Sequence, residues 1–202
     1  MNLPLSELPA WPATAPSAGQ VMLRRFEDRD VGMVQELSTD PYVPLIGTLP
    51  PACDRAGALA YIARQRQRHV EGTGFSFAVG DAGSGQALGM IGLWLRDRAL
   101  GRAQVGYAVM PQARGRGVAT DALRALVPFA WTLPELHRLE LHVEPWNTAS
   151  ASAATSAGFA VEGLLRGYLE ISGRRRDLMS YARIRDVPSG TEEPHPPSLG
   201  GA

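Results

Sequence analysis

The chain has 202 residues, 45% of them apolar, and its 20 basic residues, all arginine, balance 20 acidic ones to a formal net charge of zero. That balance excludes the strongly basic profile of a nucleic-acid binder, and the lack of lysine excludes a Schiff-base or phosphate-loop lysine. A chain of this length buries roughly 70% of its unfolded surface, so one domain is expected, with no need of a disulfide or a metal.

Residues 1–20 are rich in Pro, Ala and Ser, as in Leu8-Pro9-Ala10-Trp11-Pro12, and read as a flexible N-terminal extension. The folded domain is expected over 21–186. Val21–Phe26 reads as a strand, followed by a helix from Asp28 or Asp30 to about Ser38, with Val31, Val34 and Leu37 on one face. The stretch 39–53, with four prolines, is expected to be a loop, and a second helix starts near Asp54 and ends at Gly72 and Gly74. Three strands follow at Phe75–Val79, Leu88–Leu95 and Ala103–Met110, separated by turns at Asp81–Gly85 and Asp97–Gly101. A helix over about Gly115–Trp131 contains Pro128, which predicts a kink or an early end. Leu139–Val143 is a fifth strand. Asn147–Ala157 is a helix closed by Gly158, and Phe159–Ile171 with Leu178–Ile184 forms a hairpin. Residues 187–202 hold Pro, Gly and Ser with little apolar content and read as a disordered tail. The order β-α-α-β-β-β-α-β-α-β-β predicts an α/β fold, a mixed sheet with helices on both faces.

The lone cysteine, Cys53, lies in a proline-rich stretch with no metal-ligand spacing around it and reads as a bystander. The start of the chain lacks the basic region and apolar run of a signal peptide, and no apolar run reaches the length of a membrane span. A cytoplasmic location without membrane association is expected.

The stretch Gly106-Tyr107-Ala108-Val109-Met110-Pro111-Gln112-Ala113-Arg114-Gly115-Arg116-Gly117-Val118-Ala119-Thr120 carries the chemistry. A strand ends, a glycine-rich turn follows and a helix begins, so several main-chain N–H groups converge where the helix dipole favours an anion. Gly115 and Gly117 permit tight dihedrals and leave room for a phosphate. Arg114 and Arg116 add positive charge. The expected ligand is a phosphate ester, with pyrophosphate favoured. The turn is not a P-loop, and Thr120 stands where a dinucleotide fingerprint needs glycine.

Gln112-x-x-Gly115-x-Gly117 resembles the Gln/Arg-x-x-Gly-x-Gly/Ala signature of the GNAT superfamily of N-acetyltransferases. Asn147-Thr148-Ala149-Ser150, Ser156-Ala157-Gly158-Phe159 with Glu162-Gly163, and Arg176-Asp177 with Tyr181 are similar to its RimJ/RimL-type branch. The likeness covers residues 21–186. It implies a GNAT fold in which the fourth and fifth strands splay apart and admit the pantetheine of coenzyme A, paired with the backbone near Val109. It implies that the diphosphate rests on Arg114, Gly115, Arg116, Gly117, Val118, Ala119 and Thr120, that Asn147 contacts the cofactor, and that a main-chain N–H near Ala108 or Val109 stabilises the oxyanion. The co-substrate would be acetyl-CoA or another acyl-CoA such as succinyl-CoA. The acceptor would be a protein N-terminal amine or a small amine, and a homodimer would be common.

The same resemblance places Ser150 near the thioester sulfur as a candidate catalytic residue, and Asn147 also reads as a plain helix cap. Ala154 stands where many members carry a tyrosine acid, so that acid is missing. The branch's glutamate falls on Leu169, with Glu170 one place later, and a one-residue offset turns a strand side chain to the other face unless a bulge intervenes. Glu170, Glu144 and His142 are therefore the candidate bases, with a water relay as a further route. Trp94, Tyr42 and the 45–51 loop are candidate acceptor-pocket walls. A non-catalytic acyl-CoA-binding or sensing module is the alternative to an enzyme.

Overall fold

The computed structural model describes residues 8–186; the expected tail at 187–202 and the first seven residues lie outside them. The eight strands are β1 (Ser17–Ala18), β2 (Val21–Arg24), β3 (Gly74–Asp81), β4 (Ala87–Trp94), β5 (Arg102–Val109), β6 (Arg138–Val143), β7 (Ala160–Ile171) and β8 (Arg174–Ile184). They form one sheet in the order β1-β2-β3-β4-β5-β6-β8-β7. All pairings are antiparallel except β5 with β6. The helices are α1 (Val31–Ser38), α2 (Val43–Ile46), α3 (Arg55–Val70), α4 (Val118–Ala130) and α5 (Thr148–Ser156).

Strand chemistry follows position in the sheet. Central β3 is buried at seven successive residues, because helices cover both of its faces. β6 alternates buried and half-buried, with Leu139, Leu141 and Val143 turned to one side. On that side α4 presents Val118, Ala122, Leu123, Leu126 and Phe129, and Phe129 meets Phe75 and Phe77 edge-on at 4.8 and 5.2 Å. On the opposite face Val34 and Leu37 of α1 and Ala58 and Ile62 of α3 pack with Ala78 and Ala108. Asp54 caps α3 by accepting the Gly57 N–H at 2.8 Å, a contact worth about 1 kcal/mol.

Four features depart from the sequence expectation. The arm before Val21 is packed over its described part: Trp11 lies against Phe77 at 4.7 Å and beneath the Arg25 guanidinium, and Ser17–Ala18 pairs with β2. One large aromatic among the prolines gives the arm enough apolar area to dock. The expected 39–53 loop contains the short α2, entered through Pro44 in its first turn. Pro128 neither breaks nor stops α4, which runs to Ala130, because it falls in the last turn and removes a single bond. The final hairpin turns tightly at Ser172 and Gly173, both at positive φ, so β8 begins at Arg174 rather than Leu178.

The parallel β5–β6 ladder holds at Arg102/Arg138, Ala103/Leu139 and Gln104/Glu140 and stops there. Both strands continue, to Val109 and Val143. Beyond Gln104 the sheet is therefore split. The Met110 N–H donates to the Leu88 carbonyl at 2.9 Å, so in this antiparallel pair even-numbered residues of β5 direct their main-chain groups at β4. Val105, Tyr107 and Val109 direct theirs into the split.

Candidate active site

The turn after β5 folds as its glycines dictate. Gly115 has φ 72° and Gly117, the residue before α4, has φ 77°. A Cβ built on either meets no atom within 4 Å, so the space above both is open. No side chain caps α4, and its first main-chain bond runs from the Asp121 N–H to the Gly117 carbonyl at 2.9 Å. The N–H groups of Val118, Ala119 and Thr120 are thus left over at the positive end of the helix, next to the opened sheet. The chain presents a row of donors for an anion in the segment where the diphosphate of a coenzyme was expected.

The arginines of the turn are placed differently from the expectation. Arg116 is exposed, and its carbonyl accepts from Gln20 Nε2 of the docked arm. Arg114 folds back instead: its Nε donates to the Val109 carbonyl at 3.0 Å, and its Nη2 pairs with Asp40 Oδ2 at 2.5 Å. Gln112 donates to Glu36 Oε2 at 3.1 Å. Val109 keeps its N–H toward the split. Ala108 stands opposite Met90 with its main-chain groups on β4, so of the two expected oxyanion donors only Val109 faces the gap.

Two polar groups flank the split on opposite faces of the sheet. On the α4–α5 side the Tyr107 hydroxyl lies 2.6 Å from Ser150 Oγ. Burial pushes the Tyr107 phenol above its ordinary value, with the Ser150 bond opposing, so it stays a proton donor. Tyr107 was missed from the sequence; its only signal is its place in the odd-numbered set of β5. Asn147 caps α5 by accepting the Ser150 N–H at 3.1 Å, and so fixes the helix turn that carries Ser150.

On the α1–α3 side Glu144, directly after β6, is only 5% exposed. The Tyr42 phenol lies beside it and is held far above its usual range by burial and then by the neighbouring carboxylate. The Arg176 guanidinium lies 3.8 Å away. Tyr42 in turn packs edge-on against Trp146 at 4.9 Å. The Trp94 indole lies across Gly92 and Gly106, which face each other on β4 and β5; a Cβ on either would come within 3 Å of the ring.

Of the other candidate bases, His142 shares the Glu144 face of β6 two residues away, and Glu170 lies apart. His142 is half-buried, hydrogen-bonded to Gln104 at 3.3 Å and edge-on to Tyr168. Burial lowers its pKa, with a smaller opposing effect from Glu140. It lines a shallow cleft of about 460 Å³ with Glu140, Glu162 and Tyr168. Glu170 is exposed beside the hairpin turn, 3.9 Å from Arg175. Two bulges interrupt β7, one at Val161/Gly163 and one beyond it, where Leu165 pairs with Leu178 and Leu169 with Arg176, so three residues oppose one. That insertion preserves the alternation. Leu169 shares the face of Arg176 and Glu144, and Glu170 turns the other way with Arg175. Among the described residues no group of three or more His, Cys, Asp or Glu side chains is arranged to hold a metal, and no helix is long and apolar enough to cross a membrane.

Comparison with known proteins agrees with this geometry. Residues 20–160 match the profile of the Acetyltransferase (GNAT) domain family. The chain is 29% identical over 166 residues to the uncharacterized N-acetyltransferase p20 of Bacillus licheniformis, spanning 82% of this chain and 93% of that one. It is 26% identical over 126 residues to the ribosomal protein uS5-alanine N-acetyltransferase of Escherichia coli, spanning 62% and 65% of the two chains. Among solved structures, Mycobacterium smegmatis RimJ in complex with CoA-disulfide superposes with a TM-score of 0.69 at 28% identity, over 84% of each chain. The chain belongs to the GNAT family and is an acyl-CoA-dependent N-acetyltransferase.

Proposed function

We propose that the chain transfers an acetyl group from acetyl-CoA to a single primary amine, a peptide N-terminus or a small monoamine, with Glu144 as the base and the Tyr107–Ser150 pair as the acid. The observation that carries this reading is the placement of a buried carboxylate and a half-buried hydroxyl pair on opposite faces of the split sheet. In this reading the diphosphate lies on the main-chain N–H groups of residues 115–120, and pantetheine enters the gap beside Val105, Tyr107 and Val109. The amine nitrogen attacks the thioester carbonyl, the oxyanion forms at the Val109 N–H, and the C–S bond breaks. Glu144 takes the proton that the nitrogen must shed, and the Tyr107–Ser150 pair delivers one to the departing thiolate. Asn147 serves by fixing Ser150. Glu170 has no part in the reaction.

The acceptor class follows from charge. Four carboxylates around the acceptor face already have an arginine within 4 Å: Asp40 has Arg114, Glu144 has Arg176, and Glu140 and Glu162 share Arg138. A polyamine finds no unneutralised row of anions there. Leu45, Ile46 and Trp146 are exposed in α2 and in the turn after β6, and they suit an acceptor with one amine on an apolar carrier. The uS5-alanine acetyltransferase relative supports an N-terminal amine.

The test is thiol release from acetyl-CoA and succinyl-CoA against peptides with free N-termini, small monoamines and spermidine. Turnover is expected with the first two acceptor classes and the acetyl donor; a preference for spermidine would refute the acceptor assignment. Glu144→Gln should lower kcat by about 100-fold or more, and a kcat within threefold of wild type would remove Glu144 as the base. We also propose a homodimer through the β7 edge, where Val161, Leu164 and Tyr168 are exposed, and a cytoplasmic location; a monomeric mass by light scattering would refute the dimer.

A further inference from the structure

Asp40 lies outside the reaction as drawn above, yet its side chain is only 7% exposed. It sits just after α1, and its two carboxylate oxygens point in different directions. Oδ1 accepts the N–H groups of Tyr42 and Val43 at 2.8 and 3.0 Å, which fixes the entry to α2. Oδ2 accepts from Arg114 Nη2 at 2.5 Å. Arg114 belongs to the diphosphate turn, and its Nε is spent on the Val109 carbonyl at the end of β5. The Tyr42 ring in turn packs edge-on at 4.9 Å against Trp146, two residues beyond Glu144. A chain of charge-assisted bonds therefore runs from the coenzyme turn, through Arg114 and Asp40, to the main chain of Tyr42 and Val43, and so sets the ring that stands beside Glu144 and Trp146.

We propose that Asp40 is a positioning residue that sets the acceptor side of the active site from the coenzyme side, by holding Tyr42 against Trp146 and beside Glu144 only while Arg114 holds Asp40. The inference rests on the reading of Glu144 and the turn given above. Burial alone would push the Asp40 carboxyl up, but Arg114 and the two N–H donors outweigh it, and the group sits below the ordinary carboxylate range. The link is a charged connection between residues 74 positions apart, half-exposed at Arg114 and covered at the Asp40 side chain, and truncation at either end leaves the other end's partner unpaired. A second tie, Gln112 to Glu36, joins the same turn to α1.

Two measurements on the full-length protein decide it. The first is hydrogen exchange at the Tyr42 and Val43 amides in Arg114→Met, a half-exposed site whose replacement leaves both amides and their acceptor oxygen in place. Exchange there should accelerate about tenfold with the melting temperature little changed; unchanged exchange overturns the proposal whether or not any amine turns over. The second is steady-state kinetics of Asp40→Asn, which keeps an oxygen for the two amides and loses the charge that holds Arg114. The KM for the amine should rise about tenfold while the KM for acetyl-CoA stays within about threefold, and adding Arg114→Met should raise the amine KM less than twofold further. A defect confined to the acetyl-CoA KM, or single effects that multiply in the double variant, would overturn it. Accelerated exchange in a protein that acetylates no amine would refute the proposed function and leave the Arg114–Asp40 link standing.

Discussion

Substituting Gly117 by alanine separates the demands of the fold from those of the coenzyme. Gly117 has φ 77°, a region that costs a non-glycine residue roughly 1–2 kcal/mol. A Cβ there meets no protein atom within 4 Å, so no packing penalty adds to that figure. For a domain of this size, such a loss lowers the melting temperature by about 2–8 °C, and the protein stays folded. The open space is also where the leftover N–H groups of Val118, Ala119 and Thr120 would hold the diphosphate, and a methyl group in it keeps the phosphate from its donors. CoA affinity, measured by titration calorimetry, should fall at least tenfold, a loss of about 1.4 kcal/mol or more. Gly89→Ala is the contrasting case: its Cβ would stand 2.3 Å from the Ala108 carbonyl oxygen, so it should destabilise the sheet by several kcal/mol whether or not CoA is present. A Gly117→Ala protein that binds CoA within twofold of wild type would refute the placement of the diphosphate.

Tyr107→Phe and Ser150→Ala should each lower kcat about tenfold or more, and the double variant should be no slower than the worse single, because both remove the same proton-donating unit; multiplicative losses in the kinetics would show two independent roles. His142 has a lowered pKa in the folded protein, so below the unfolded value of about 6.5 the unfolded chain binds its proton more readily. The stability tied to neutral His142 is fully present above that pH and is lost as pH falls toward the folded value. Denaturant unfolding of His142→Gln should accordingly lose less stability than wild type between about pH 7 and pH 5, and parallel curves would contradict the stated shift.

The sequence is most readable where one residue type has one conformational use. Gly115 and Gly117 announce a turn into a helix because few other residues adopt their dihedrals, and the strand order follows from period-two runs between turn residues. Contacts made across the chain leave no such mark. Arg114 looks like a phosphate ligand from its neighbours alone, and nothing nearby in sequence shows that its carboxylate partner is Asp40. Tyr107 reads as one more apolar strand residue until α5 brings Ser150 against it. The choice between Glu144 and Glu170 turned on register, since past Gly163 a bulge of one residue would have reversed the faces and the actual insertion of two between Leu165 and Leu169 does not. Trp11 shows the converse: a segment rich in proline reads as loose, yet one aromatic side chain with an exposed core edge to cover is enough to dock it.

The central claim is that main-chain N–H groups of the turn after β5 grip the coenzyme while the split between β5 and β6 receives its pantetheine. Amide chemical shifts of isotope-labelled protein during a titration with CoA test it most directly. The account predicts that the largest changes fall on Gly115–Thr120 and on the gap-facing amides of Val105, Tyr107 and Val109, with Ala108 moving less. Saturable shifts that leave residues 115–120 in place and cluster instead around His142 and Glu162 would contradict it.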